Sequence, residues 1–417
     1  MSHFYSQSQN LASTIHTGID PRTGSFSLRI PIALVRCNYG KGPMINLTLQ
    51  HQTRNKEQQG FGLGFSFSFT SYDQENKILK LATGEQYQIE DNEISFEVKQ
   101  SKQKNFVFER LIDCYRITYE TGRVEILASP SSKQKIKNTV RIANQEGFSV
   151  TLKWALNQAN YLVEIADEQT KLVQIDYTDQ LHTSIILFPG TIEENRFDLT
   201  LVNDYLKTLK QVTTEDTWAF DYTTVGLLEQ IVHPTGITER IEYQSEYLRF
   251  PQDVYTALTV ATCHIIYAKN HQLRSVSSFI YTQTNFLGFA SALDFKCNRD
   301  NLYELLNTYQ YGCIETQVLD QEVIETQRLY NKYHLLVSEI ISFNSPNGLT
   351  SIQTELEYYD VVGLSFAQQV DEFQVLKRKR ITWKKNHKEI QQEVFHFEFD
   401  PQGNLLFEIH PNGIAIA

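Results

Sequence analysis

A short segment occurs twice in this chain, with Gly, Leu, His, Pro and Gly at the same offsets in both copies. The first copy runs over residues 226–236 and the second over residues 403–413, and an aromatic-Asp pair precedes each. A Gly turn, a short apolar strand and a His-Pro-x-Gly turn are typical of a strand, hairpin, strand, turn unit. Such a unit cannot bury its apolar face alone, so the duplication predicts an array of hairpins. The predicted turn residues are Gly226, His233, Pro234, Gly236, Gly403, His410, Pro411 and Gly413.

Alternation of apolar and polar residues extends this β prediction to most of the chain. Phe26, Leu28 and Ile30 alternate with polar neighbours, and so does the run from Phe148 to Trp154, which is the period of half-buried strands. Aromatic residues make up 12% of the chain, against only 2 Met, which also favours strands. In residues 60–70, large side chains at odd positions stand opposite small ones at even positions. This run predicts a strand that another backbone approaches closely. Residues 301–309 fit a helix and a strand about equally well.

The repeated pattern also carries a resemblance to a known family. Aromatic-Asp, Gly and Pro-x-Gly in this order resemble the YD repeat of Rhs proteins and of the B and C components of insecticidal toxin complexes. Residues 17–28, Gly42-Pro43 and residues 60–65 are similar to the start of bacterial Rhs-type proteins. Further matches are residues 83–85, 285–289 and 331–336. In that family the repeats build a hollow β-shell around a C-terminal toxic domain. We find neither the family's self-cleaving end segment nor a C-terminal toxin here.

The resemblance implies an all-β fold of repeated antiparallel hairpins in a large curled sheet, a partial Rhs/YD-repeat shell. We expect a flexible N-terminus over residues 1–16. An N-terminal β region over residues 17–130 would open the shell, and a YD-repeat-like β-shell region would follow over residues 131–417.

Charge and cysteine content limit the cellular setting. The net charge of −11 and pI near 5.5 argue against nucleic acid as a partner. Five scattered cysteines without a CxxC pair indicate free thiols in a reducing compartment. No secretory signal peptide and no apolar run of membrane-spanning length is found. We expect synthesis in the bacterial cytoplasm and export without a classical signal peptide or as part of a toxin complex.

Residue patterns that could carry chemistry are few. Gly60-x-Gly62-x-Gly64 is not followed by a helix pattern, which a phosphate cradle requires. His396, Glu398 and Asp400 share one face of a predicted strand, but a solvated face explains them better than a metal site. Glu355-x-Glu357 has a weak similarity to the Glu-x-Glu of ADP-ribosylating toxins. We therefore predict no catalytic residues, no metal and no cofactor.

Two functions from different classes remain. The first is a non-enzymatic shell scaffold whose partner is a toxin polypeptide or a second shell-forming chain. The alternative is a carbohydrate- or surface-binding module, seated on a basic run that contains a Trp, with a glycan as partner. A solvated edge strand that uses lysines against mispairing is the simpler explanation of that run. The residues of this predicted patch are Lys377, Arg378, Lys379, Arg380, Trp383, Lys384 and Lys385.

Overall fold

The computed structural model describes residues 4–8, 17–92, 95–102, 105–131, 134–156, 160–319, 322–345 and 348–416. Within these ranges the chain is built from antiparallel strands and short 3-10 turns, without an α-helix, as predicted. No helix in the described residues has the length and apolar character needed to cross a bilayer. The 3-10 turns are Asn38–Gly40, Pro251–Asp253, Leu302–Glu304 and Phe366–Gln368.

The strands are numbered in chain order. The first group is β1 (Thr17–Ile19), β2 (Phe26–Arg36), β3 (Met44–Gln52), β4 (Phe65–Phe67), β5 (Ser71–Asp73), β6 (Ile78–Lys80), β7 (Gln86–Asp91), β8 (Phe96–Val98), β9 (Phe106–Arg110), β10 (Tyr115–Tyr119), β11 (Val124–Ala128) and β12 (Ile136–Ala143). The middle group is β13 (Ser149–Trp154), β14 (Leu162–Ala166), β15 (Lys171–Tyr177), β16 (His182–Leu187), β17 (Asn195–Val202), β18 (Tyr205–Gln211), β19 (Thr217–Tyr222), β20 (Leu228–Val232), β21 (Thr238–Leu248) and β22 (Leu258–Tyr267). The last group is β23 (Leu273–Tyr281), β24 (Gln310–Leu319), β25 (Glu322–Asn331), β26 (Leu336–Ser345), β27 (Gly348–Tyr358), β28 (Leu376–Lys385), β29 (Lys388–Phe399), β30 (Leu405–Ile409) and β31 (Ala415–Ile416).

Strands β1 to β4 form a separate N-terminal sheet in sequence order. Along β2, the predicted alternation holds, since Phe26, Leu28 and Ile30 are buried and their neighbours are less so. The register with β3 is continuous except at Pro31, where it shifts, because proline cannot donate to the ladder.

Strands β5 to β12 surround a small core of their own, centred on Tyr72, Phe108 and Ile117. The edge of β12 explains how this group joins the rest of the chain. Its first residues pair with β5, while residues 141–143 pair with β13. One strand edge is therefore shared by the small group and by the long sheet that follows.

From β12 to β31, neighbouring strands along the chain pair antiparallel, hairpin after hairpin. The inner face of β12 to β25 shares one apolar core with the N-terminal sheet, which thus lies inside the curve of the long sheet. The contact is close at Gly62, where a Cβ atom would lie 2.6 Å from the amide nitrogen of Leu206. The predicted close approach at this glycine-rich run is confirmed.

A single turn type connects many of these hairpins. In this turn, the N–H of the first residue donates to the carbonyl oxygen of the fifth residue. The carbonyl oxygen of the first residue accepts from the N–H of the fourth residue. The fourth residue has positive φ and is usually Gly. It occurs nine times in the described residues. The turns start at Leu81, Tyr119, Asn144, Thr223, His233, Ala268, Asn331, Asp400 and His410.

Three predictions about local structure were wrong. Gly60, Gly62 and Gly64 have φ of +84°, +100° and +82°, so the predicted strand is limited to β4. Residues 301–309 form a 3-10 turn at Leu302–Glu304 and then an irregular segment, because the adjacent Leu302 and Tyr303 are buried in two different cores. Residues 4–8 are packed and mostly buried, whereas a flexible N-terminus was expected; the rest of residues 1–16 lies outside the described ranges. The predicted boundary at residue 130 falls between β11 and β12, which pair with each other.

Candidate functional site

A cleft in the described residues lies beside β1, on the inner face of the long sheet. Its volume is about 720 Å³. Strands β22 to β27 supply one wall, and the segment from Thr17 to Arg22 supplies the opposite wall. The N-terminal sheet covers the inner face of the long sheet only as far as its edge strand, β1. The cleft is the uncovered space beside β1.

Next to the cleft, a carboxylate is held by two histidines, one of which, His264, lines the cleft. The Nε2–H groups of His233 and His264 each donate to a different oxygen of Glu239, both at 2.7 Å. Burial alone raises the pKa of Glu239, but the two histidines outweigh it and lower that pKa to about 2. The carboxylate therefore stays ionised and bound, and the arrangement fixes the His233 turn to β21 and β22.

A second charged group crosses three strands of the same wall. The Arg328 guanidinium donates to Glu315 at 2.8 Å and to Glu339 at 2.9 Å. Burial disfavours the charged guanidinium, yet the two carboxylates raise the pKa of Arg328 above its usual value. One cation thus serves two anions, and this part of the cleft carries excess negative charge.

Behind the cleft lies a fully buried chain of hydrogen bonds. The His334 Nε2–H donates to Asp300 Oδ2 at 2.8 Å, and the Tyr311 hydroxyl lies 2.8 Å from His334 Nδ1. The same Asp300 oxygen accepts from the Ser6 hydroxyl at 3.0 Å and from the Gln7 amide at 2.7 Å. Because all these groups are buried, the arrangement anchors the N-terminal residues and is closed to a substrate.

The two copies of the sequence repeat have the same turn geometry. His233 and His410 start turns of the common type, and Gly226, Gly236, Gly403 and Gly413 have φ between +80° and +86°. Pro234 and Pro411 occupy the second position of those turns. Both histidine rings face carboxylates: His233 binds Glu239 at 2.7 Å, and His410 Nε2 lies 3.5 Å from Glu408.

The aromatic-Asp pairs are not equivalent in the two copies. The turn that contains Gly226 starts at Thr223, whereas the turn that contains Gly403 starts at Asp400. Asp221 thus precedes its turn, while Asp400 is part of the other turn and caps it through Asn404 at 2.8 Å. The structural repeat is therefore limited to the segment from the first Gly to the last Gly of each copy, residues 226–236 and 403–413.

The basic run forms β28, which pairs with β27 and β29 and is therefore not an edge strand. Its members alternate between the two faces of the sheet. Arg378, Arg380 and Lys384 lie beside Glu357 at 2.8 Å, Glu355 at 3.1 Å and Gln353 at 2.6 Å. On the other face, Lys377 and Lys379 lie over aromatic rings, Trp383 is half-buried, and Lys385 ends the strand exposed. The run is thus divided between two surfaces.

The other sequence candidates stay apart from the cleft. His396 and Glu398 are exposed on β29. Within the described ranges, no group of three or more His, Cys, Asp or Glu is arranged to hold a metal ion. Glu355 and Glu357 pair with arginines on the outer face. Glu239, Arg328 and Asp300, in and beside the cleft, were not predicted from the sequence, because they lie on separate strands and loops.

No protein-family model and no curated protein matches the sequence. Solved structures with similarity include the Photorhabdus luminescens Tc holotoxin pore, at 10% identity and a TM-score of 0.36 over 79% of this chain and 17% of that one. The TcdB2-TccC3-Cdc42 complex has 11% identity and a TM-score of 0.34 over 87% of this chain and 19% of that one. The N-terminal domain of SpvB from Salmonella typhimurium has 10% identity and a TM-score of 0.15, over 88% and 100%. This chain spans less than a fifth of the first two structures, and TM-scores below 0.5 do not establish a shared fold.

Proposed function

We propose that this protein is a non-enzymatic β-shell scaffold of a toxin system, which encloses or carries a polypeptide supplied by the same gene or by a partner chain. The observation that carries this proposal is the single run of consecutively paired hairpins from β12 to β31, curved around the N-terminal sheet. Such an array presents one continuous inner face, which suits contact with another polypeptide better than small-molecule chemistry.

The state of the charged groups in and beside the cleft supports a structural role. Glu239 is held by two histidines, Arg328 by two carboxylates, and Asp300 by His334 and the N-terminal residues. A catalytic base or nucleophile must reach its substrate, whereas these groups are already hydrogen-bonded. They stabilise the wall of the shell.

The inner face also indicates where a carried chain would lie. The N-terminal sheet fills the curve of β12 to β25. Ile341, Ile352, Ile381 and Trp383 follow one another on β26 to β28 as half-buried side chains. A cargo would contact this last part of the inner face and the neighbouring cleft.

The carbohydrate-binding alternative has less support, because Arg378 and Arg380 lie across the sheet from Lys379 and Trp383. A glycan site needs exposed rings and cations on one surface. Production in the cytoplasm and export without a classical signal peptide stay part of the scaffold proposal.

The test is to produce the full chain with the product of the neighbouring downstream gene and to measure its mass by light scattering after size exclusion. We expect a stable complex in which the second chain resists protease. An unrelated chain of similar size is the control. A monomer that ignores the downstream product, and leaves it as sensitive as the control, would contradict the scaffold function.

A further inference from the structure

In the described part of the chain, β1 pairs with another strand along one edge only, the edge to β2. The amide of Asp20 donates to the carbonyl of Ser25 at 2.9 Å, which makes these residues a hydrogen-bonded pair with β2. Because bonded and non-bonded pairs alternate in an antiparallel ladder, Gly18 faces β2, while the backbone groups of Thr17 and Ile19 point away from it. These three residues line the 720 Å³ cleft. A strand edge therefore faces an open space of defined size.

The cleft wall opposite this edge carries charge. Glu315 and Glu339 share the single guanidinium of Arg328, and their side chains remain 21% and 26% exposed. Arg22 lies 3.5 Å from Asp20, so its charge is also compensated. A positively charged group entering the cleft would gain from the unmatched carboxylate.

We propose that the cleft binds an extended polypeptide segment, which adds as a strand to β1 and places a Lys or Arg beside Glu315 and Glu339. Main-chain hydrogen bonds to an open edge provide affinity in this mode, and the facing side chains select the sequence. The inference deepens the carrier function and rests on it for the origin of the peptide, but binding itself depends only on the edge and the charged wall.

The probe is a short fluorescein-labelled synthetic peptide of alternating Thr and Val with a central Lys, titrated into the full chain and followed by fluorescence anisotropy. A peptide with Glu in place of Lys should bind about tenfold more weakly. A Lys peptide with methylated backbone amides should lose binding, because it cannot donate to β1. Equal binding of all three peptides, or of none, would overturn the proposal.

Variants of the protein separate the edge from the charged wall. Thr17→Pro removes an N–H that points into the cleft and should abolish binding, whereas Thr17→Ala keeps that N–H and should bind as the wild type does. Glu315→Gln should weaken the binding of the Lys peptide and should not weaken the binding of the Glu peptide. Glu355→Gln is the matched control, because Glu355 also pairs with an arginine, Arg380, but on the outer face.

Two outcomes distinguish this site from the carrier function. If the Lys peptide binds but a co-produced chain is not protected from protease, the carrier function fails and the edge site stands. The second outcome has two parts: the wild type and Thr17→Pro protect the co-produced chain equally, and the Lys peptide binds to neither protein. In that case the edge site is overturned and the carrier function stands. Should Thr17→Pro fail to fold, the methylated peptide still tests the edge.

Discussion

The Nε2 atom of His334 lies 2.8 Å from the Oδ2 atom of Asp300, at a place where both side chains are at most 1% exposed. His334 occupies the fourth position of a hairpin turn, with φ of +61°, where seven of the other eight turns of this type have Gly. Positive φ is costly for a residue with a side chain, although His is among those that tolerate it. This cost is offset because the His334 ring connects β24 to the loop that binds the N-terminal residues.

Replacement of His334 by Ala should therefore destabilise the protein by about 3 kcal/mol, since it removes one of the donors to the fully buried Asp300. His334→Gly relieves the backbone but loses the same hydrogen bonds, so it should also be strongly destabilising. Urea unfolding at neutral pH measures both changes.

His271 provides the matched control. It occupies the same turn position with φ of +60°, but its side chain is exposed. His271→Gly should leave the free energy of unfolding unchanged within about 1 kcal/mol. If His334→Gly behaved like His271→Gly, the buried hydrogen bonds would not be the reason for the histidine.

Glu239 should make the stability of the protein depend on pH. Its pKa is about 2 in the folded protein, below the value of about 4.3 expected after unfolding. The ionised carboxylate therefore contributes stability above the unfolded value, and this contribution is lost as pH falls toward 2. Glu239→Gln should cost about 3 kcal/mol at neutral pH, and the cost should shrink below pH of about 4.

Urea unfolding of both proteins at several pH values checks this expectation. Glu408→Gln is the control, because its partner His410 is farther away, at 3.5 Å, and both side chains are partly exposed. A Glu239→Gln cost that does not change with pH would show that packing, and not charge, explains the loss.

The sequence predicted those parts of the fold that depend on neighbouring residues. The alternation of Phe26, Leu28 and Ile30 and the Gly turns of the repeat depend on local geometry, and both are present in the structure. Glu239, Arg328 and Asp300 could not be found in this way, because their partners come from distant strands. His334 could be noticed from one sequence signal, since it occupies the position where seven of the nine turns have Gly, but the exposed His271 shares this signal.

The turn glycines should differ in their tolerance of substitution. Gly226 and Gly413 have φ of +82° and +80°, so Ala costs about 1 kcal/mol at either position from the backbone alone. At Gly226 a Cβ would also collide with the Tyr205 hydroxyl, whereas at Gly413 there is open space. Gly226→Ala should therefore lower the melting temperature more than Gly413→Ala. Equal effects would mean that Tyr205 moves aside without cost.

Residues 4–8, which we call the N-terminal strap, should hold two parts of the fold together. The Tyr5 hydroxyl donates to the carbonyl of Gln86 in the small strand group, while Ser6 and Gln7 donate to Asp300 beside the long sheet. Deletion of residues 2–8 removes both contacts and exposes the buried carboxylate. Amide hydrogen exchange should then become faster around residues 296–302 and in β7.

Tyr5→Phe separates the two ends of the strap, because it removes the hydrogen bond to Gln86 and keeps the Ser6 and Gln7 donors to Asp300. Its effect should be confined to β7, while residues 296–302 keep their protection. Strands β17 and β18 lie inside the long sheet, between β16 and β19, and should exchange at the wild-type rate in both variants. Faster exchange throughout the chain after the deletion would instead indicate that residues 4–8 support the whole fold and do not tie two parts together.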